Sequence, residues 1–153
     1  MTKLFRHGLA LENQVKQIVL SIPGVKELSP QKQTLLQTLS CLYKDKQLGY
    51  LKSEGYQHWG QVPTSRVLDQ CFGIDLLISF RGYWIALDIT GKDSRVKYKS
   101  DRFRDRNQRR MFRALDLDTA AVLFAKDVPS VERAQEILEQ LIKHHRFGGV
   151  VIA

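Results

Sequence analysis

The stretch GIDLLISFRGYWIALDITGK, residues 73–92, decides the fold. Two runs rich in β-branched and aromatic residues, 74–80 and 83–90, are separated only by Arg81-Gly82, which reads as a two-residue hairpin turn. Counting outward from that turn sets Phe80 against Tyr83, Ile78 against Ile85, Leu76 against Leu87 and Asp75 against Asp88. Strand alternation gives one wholly hydrophobic face, running from Ile74 to Phe80 and from Tyr83 to Ile89 at every second residue. The other face carries Asp75, Asp88 and Thr90.

With Phe80 and Tyr83 as the hydrogen-bonded pair beside the turn, Asp75 and Asp88 form a non-hydrogen-bonded pair, their Cβ atoms ~4.5–5.5 Å apart. Two carboxylates that close repel, and unaided one of them takes up a proton. A divalent cation between them removes the conflict, and hard cations such as Mg²⁺ prefer carboxylate oxygens. The structural alternative is that each aspartate merely ends its strand at a solvated edge, paired with an Arg or Lys.

Working outward, the apolar residues Leu11, Val15, Ile18, Val19 and Ile22 recur at helical spacing and predict a helix over 9–22, stopped by Pro23-Gly24. Glu12 lies on its apolar stripe, as a third acid of the site or as a marginal residue reaching water. Thr90 and Lys92 follow Asp88 on the same strand face, so Lys92 is a candidate to bring an ammonium to the site, or else a solvated lysine past the strand end.

A second helix is expected over 31–43 with Leu35, Leu36, Leu39 and Leu42 inward, and a further one over 100–115. A short strand is expected at 119–125 and a helix from Ser130 to His145. Gly148-Gly149 then leads to a last strand, VVIA. Residues 44–70 read as irregular, a functional insertion or a set of short elements. The expected architecture is α/β: one domain spanning 1–153, with a mixed β-sheet flanked by helices.

An acid on one strand, a hairpin, then an acid and a lysine on the next resembles the PD-(D/E)XK nuclease superfamily, the restriction-endonuclease fold. The leading helix with Glu12 and the trailing basic helix are similar to that core over most of residues 9–126. Within it the chain is most similar to the intron-encoded bacterial homing endonucleases. The resemblance implies a Mg²⁺-dependent endonuclease, with Mn²⁺ able to substitute, cutting both strands of a long double-stranded DNA target in the bacterial cytosol. It implies Asp75 and Asp88 as metal-binding acids and Glu12 as the helix acid of some branches. Two departures stand out: Gly73-Ile74 precede Asp75 in place of a proline, and Thr90 occupies the usual lysine position. Lys92 then takes its place, a nearby Lys or Gln reaches in from another element, or the site works without that lysine.

Phosphodiester hydrolysis needs an activated water and stabilisation of developing charge, and a metal on Asp75 and Asp88 supplies both. The Ile89 carbonyl is a further candidate ligand. The four histidines show no spacing that suggests a catalytic triad, and His144-His145 decorate a helix end.

Composition points the same way. Lys+Arg 24 against Asp+Glu 16 gives a net charge of +8, which suits a polyanionic partner or simply a soluble basic protein. Ten Lys or Arg against three Asp fall between Lys92 and Arg113. Arg95, Lys97, Lys99, Arg102, Arg106, Arg109 and Arg113 are the candidate DNA contacts, the last four at helical spacing on one face. The aromatic and basic mixture in 44–70 is the candidate for reading bases. Two cysteines without a CxxC argue against a zinc site or disulfide scaffold, and no run is long enough to span a membrane. Cutting both strands with so small a chain calls for a homodimer or higher oligomer, with VVIA or an exposed helix face as its interface. A junction resolvase and a non-catalytic DNA-binding protein are the alternatives.

Overall fold

The computed structural model describes residues 3–144 and 150–152. Along the chain the strands are β1 (Lys26–Glu27), β2 (Leu76–Phe80), β3 (Tyr83–Thr90), β4 (Thr119–Phe124) and β5 (Val150–Ile152). The helices are α1 (Lys3–Leu20), α2 (Lys32–Gln37), α3 (Cys41–Lys52), α4 (Thr64–Val67), α5 (Asp93–Arg104), α6 (Arg106–Ala114) and α7 (Val131–His144). The strands form one sheet in the order β1-β2-β3-β4-β5. Pairing is antiparallel from β1 to β3 and parallel from β3 to β5. The protein is therefore a mixed α/β fold, its sheet flanked by helices.

The β2–β3 hairpin has the expected register, with Phe80 against Tyr83, Ile78 against Ile85 and Leu76 against Leu87. Arg81 (φ 51°) and Gly82 (φ 82°) are both left-handed, as the tight turn of a right-twisted hairpin requires. Arginine is an uncommon choice at such a φ. Here its guanidinium lies 4.7 Å from the centre of the Phe80 ring and 3.6 Å from Glu139 of α7.

Each face of the sheet is buried. Leu76, Ile78, Phe80, Ile85, Leu87 and Ile89 pack under Val15 and Val19 of α1, Ile22 just past its end, and Ala134, Ile137, Leu138 and Leu141 of α7. Leu77 and Ala86, on the reverse, pack with Phe103 of α5, Phe112 of α6, and Leu35, Leu39 and Leu51 from the 32–52 region. Ile74 departs from its expected side and joins the second cluster. The chain bends at Asp75, whose N–H donates to the Leu87 carbonyl at 2.9 Å although Leu87 is already paired with Leu76. Two residues against one is a bulge, and it shifts the side-chain alternation by one place.

Four expected elements are revised. Helix α1 begins earlier, at Lys3. The helix expected over 31–43 is two: Thr38 Oγ donates back to the Leu35 carbonyl at 2.8 Å, and Ser40 starts α3 by accepting from Tyr43 N–H at 3.3 Å. That restart changes the rotational frame, so Leu42 is 85% exposed instead of inward. The irregular 44–70 segment holds most of α3, α4 and the start of a π-helical turn over 68–72. Lys32 anchors the intervening loop by donating to the Trp59, Gly60 and Val62 carbonyls at 2.8, 3.2 and 2.9 Å. The helix expected over 100–115 is also two, α5 and α6, because Asp105 accepts from the N–H groups of Asn107 (3.0 Å) and Gln108 (3.3 Å) and caps a new helix.

Ser130 caps α7 as expected, accepting from Arg133 N–H at 3.2 Å. His145, the Gly148-Gly149 link and Ala153 lie outside the described residues. Among the described residues no helix is long and apolar enough to cross a membrane.

Gly49 sits in mid-α3, exposed, with open space where a Cβ would project. Gly49→Ala is expected to stabilise the fold by about 0.5–1 kcal/mol, since alanine gives up less backbone freedom in a helix. A rise of about 1–4 °C in thermal midpoint checks it.

Candidate active site

Antiparallel pairing lays the start of β2 beside the end of β3, so Asp75 and Asp88 meet at one edge of the sheet even though neither neighbours the turn. Asp75 sits at the bulge and its side chain replaces a ladder contact: Oδ2 accepts from the Ile89 N–H at 2.7 Å. Asp88, 4% exposed, hydrogen-bonds Asp75. Burial first, then the hydrogen bond and charge of Asp75, push the Asp88 carboxyl up to about 8, against the opposing pull of Lys99. The conflict anticipated between the facing acids is present, and it favours a proton on Asp88.

Lys99 of α5 enters this site from above the sheet. Its Nζ donates to Asp88 Oδ1 at 3.0 Å and to the Ile89 carbonyl at 3.2 Å. Its side chain is 19% exposed and that of Asp88 6%, so the pair is largely withdrawn from water. The placement follows from α5 itself. Val96 and Phe103 are buried on its sheet side, and Lys99 lies three residues from one and four from the other. Among the candidate DNA contacts, Lys99 is thus moved from the surface to the site.

Lys92 takes a different place. It is the residue before α5, exposed, and its N–H donates to Thr90 Oγ at 3.2 Å while its carbonyl accepts from the same hydroxyl at 3.3 Å. Its backbone ends the strand, and its side chain is given over to solvent. Thr90, where the lysine is expected by resemblance, serves this strand-to-helix turn.

Glu12 is half-buried on α1. Burial raises its carboxyl, the Asp75 charge raises it further, and Lys99 and Lys16 oppose. Glu12 therefore feels Asp75 and Lys99, on the side opposite α5. Among the described residues no three His, Cys, Asp or Glu side chains form a cluster able to hold a metal ion. The oxygens that converge are those of Asp75, Asp88 and the Ile89 carbonyl. All are hard donors, and two of them already hold a cation, the Lys99 ammonium. That donor set fits Mg²⁺, which takes one or two carboxylates and keeps several waters.

The basic segment divides between two roles. Arg95 and Lys97 on α5, and Arg106, Arg109 and Arg113 on α6, are exposed. Arg95 lies over the ring of Tyr98, 5.3 Å from its centre, and Tyr98 is itself 61% exposed. On α6 the opposite side carries buried Gln108 and Phe112, so its arginines face out as a group. Arg102 does not join them. It belongs to α5, beyond the break at Asp105, and its guanidinium turns inward against Gly73. One face running over both helices is therefore replaced by an α6 face that carries Arg106, Arg109, Arg110 and Arg113.

No protein-family model, no curated protein and no solved structure matches the chain.

Proposed function

We propose that this chain is a Mg²⁺-dependent, sequence-specific double-stranded DNA endonuclease of the restriction-fold type, acting in intron homing in a bacterial cytosol as a homodimer or higher oligomer. The observation that carries the reading is the grouping of Asp75, Asp88 and Lys99 around the end of the strand that carries the Ile89 carbonyl. Two acids and a lysine on a hairpin and the helix behind it form the constellation that phosphodiester hydrolysis uses.

When bound, Mg²⁺ supplies an activated water and polarises the scissile phosphate. Asp75, Asp88 and the Ile89 carbonyl hold it, with Mn²⁺ an acceptable substitute. The Asp75 carboxylate is kept in place by the Ile89 N–H. Lys99 turns its ammonium from Asp88 towards the phosphate, where it stabilises the charge that develops on the oxygens. Glu12 adds negative potential from α1 and favours a cation at the acid pair. Arg95, Lys97, Arg106, Arg109 and Arg113 contact backbone phosphates, and exposed Tyr50 with Lys46 and Lys52 on α3 offers groups for base contact.

The test is cleavage of a random duplex library with Mg²⁺. Wild type returns a defined set of cut sites, while Asp75→Asn and Asp88→Asn return none and still bind DNA. Binding with no nicking in either Mg²⁺ or Mn²⁺ would sink the proposal. A four-way junction cut in preference to duplex points instead to a resolvase.

A further inference from the structure

Asp75 follows directly from an unusual piece of chain. The π-helical turn Leu68–Phe72 ends at Gly73, which is left-handed at φ 68°, and Ile74 then leads to the bulge. The last carbonyls of any helix lack partners within it. Here Gln70 is half-buried and Cys71 and Phe72 are buried, so water is largely kept from their carbonyls. Three side chains from three helices do. Arg102 of α5 reaches the Gln70 carbonyl with Nη2 at 3.5 Å. Tyr43 of α3 donates its hydroxyl to the Cys71 carbonyl at 3.1 Å. Gln108 of α6 donates to the Phe72 carbonyl.

Arg102 has the widest reach of the three. Its guanidinium also faces the Tyr43 hydroxyl, and it lies flat against Gly73, 3.2 Å from where a Cβ there would stand. Only glycine admits both that φ and that approach. Lys99 and Arg102 are one turn apart on α5. One grips Asp88 and the Ile89 carbonyl, and the other grips the turn that delivers Asp75. A single helix thus spans both acids, one basic side chain to each.

We infer that Arg102 is a positioning residue for Asp75: by filling the concavity over Gly73 and holding the Gln70 carbonyl, it fixes where the chain enters β2 and so the separation of the two acids. It touches neither the reacting atoms nor a DNA phosphate. The inference rests on the proposed metal site, and the experiment is arranged to separate the two.

The experiment measures Mn²⁺ affinity of the DNA-free protein, DNA affinity as a function of salt without divalent metal, and thermal midpoint. Arg102→Gln is expected to weaken Mn²⁺ binding by about 10–100-fold, the usual effect of removing a group that orients a metal ligand. Its DNA affinity and salt slope stay at the wild-type values. Arg109→Ala is expected to do the reverse, leaving Mn²⁺ binding intact and reducing the salt slope by about 0.9, the loss of one phosphate contact. Arg102→Lys, which keeps charge but cannot cover Gly73 and Gln70 together, falls between wild type and Arg102→Gln in Mn²⁺ affinity. Tyr43→Phe removes only the hydroxyl on the Cys71 carbonyl and serves if Arg102→Gln does not fold, with a smaller loss of Mn²⁺ affinity expected. Wild-type Mn²⁺ affinity in Arg102→Gln, or in Tyr43→Phe where that stands in, overturns the inference, as does a salt slope reduced by one contact in Arg102→Gln. Wild-type protein whose Mn²⁺ binding is indifferent to Asp75→Asn overturns the metal site itself, and the inference with it.

Discussion

Lys99→Met is expected to slow DNA cleavage by about 10²–10³-fold, the typical loss when one charge-stabilising group is removed from an active site. Lys92→Met is expected to cleave at the wild-type rate. The contrast is decided by geometry. Lys99 Nζ stands 3.0 Å from Asp88 Oδ1, whereas Lys92 is exposed at the start of α5. Both variants remove one positive charge, so a general electrostatic effect on DNA binding moves them together. Removing one partner of a buried ion pair commonly unfolds a protein, because the remaining charge is stranded. Asp88 escapes that fate: its carboxyl is already raised to about 8 by burial and Asp75, so at neutral pH it holds a proton and no charge is stranded when the ammonium goes. Lys99→Met should therefore remain folded near pH 7. Single-turnover cleavage of a cloned target, with binding measured in parallel, tests the pair. An active Lys99→Met beside an inactive Lys92→Met would reverse the assignment.

The hairpin was legible because its information is local. A two-residue turn fixes the register, and the register fixes which residues oppose, so the meeting of Asp75 and Asp88 needs nothing beyond residues 75–88. The same logic fails one step further out. The bulge at Asp75 depends on a main-chain hydrogen bond to Leu87, and no residue type announces it, so Ile74 was expected on the wrong face. The contact of Lys99 with Asp88 was hidden by where the helix begins. A start at Ser100 leaves Lys99 outside. A start at Asp93 puts it on the stripe of Val96 and Phe103, and that spacing was the available signal. Asp105 is a comparable case. Asp105-x-x-Gln108 has the form of a helix start, yet ten basic residues around it suggest one continuous charged helix. The cap wins, and the break frees Arg102 to point inward while the α6 arginines stay outside. Composition identified a basic surface but had no means of separating an arginine that meets solvent from one that meets Gly73.

Raising the pH from about 5 to about 8 is expected to tighten metal binding by roughly tenfold per unit, levelling off above, because the ion must displace the proton that Asp88 holds. The carboxyl titrates near 8 instead of at its ordinary 3.8, chiefly through burial and then through Asp75. The Glu12 carboxyl is raised as well, by burial first and then by the Asp75 charge. Stability of the metal-free protein moves the other way. Between the ordinary value of 3.8 and about 8, the folded state keeps a proton on Asp88 that the unfolded chain has released. The folded state binds more protons in that window, so its stability is fully present below the lower value and falls as pH rises towards the upper. A divalent cation favours the ionised pair and offsets the loss. Mn²⁺ titrations and denaturant melts across this range measure both slopes, and Asp88→Asn is expected to flatten the stability profile by removing the titrating group. A metal affinity that does not change with pH would mean that Asp88 is already ionised in the free protein, and that Lys99, not a proton, neutralises the pair.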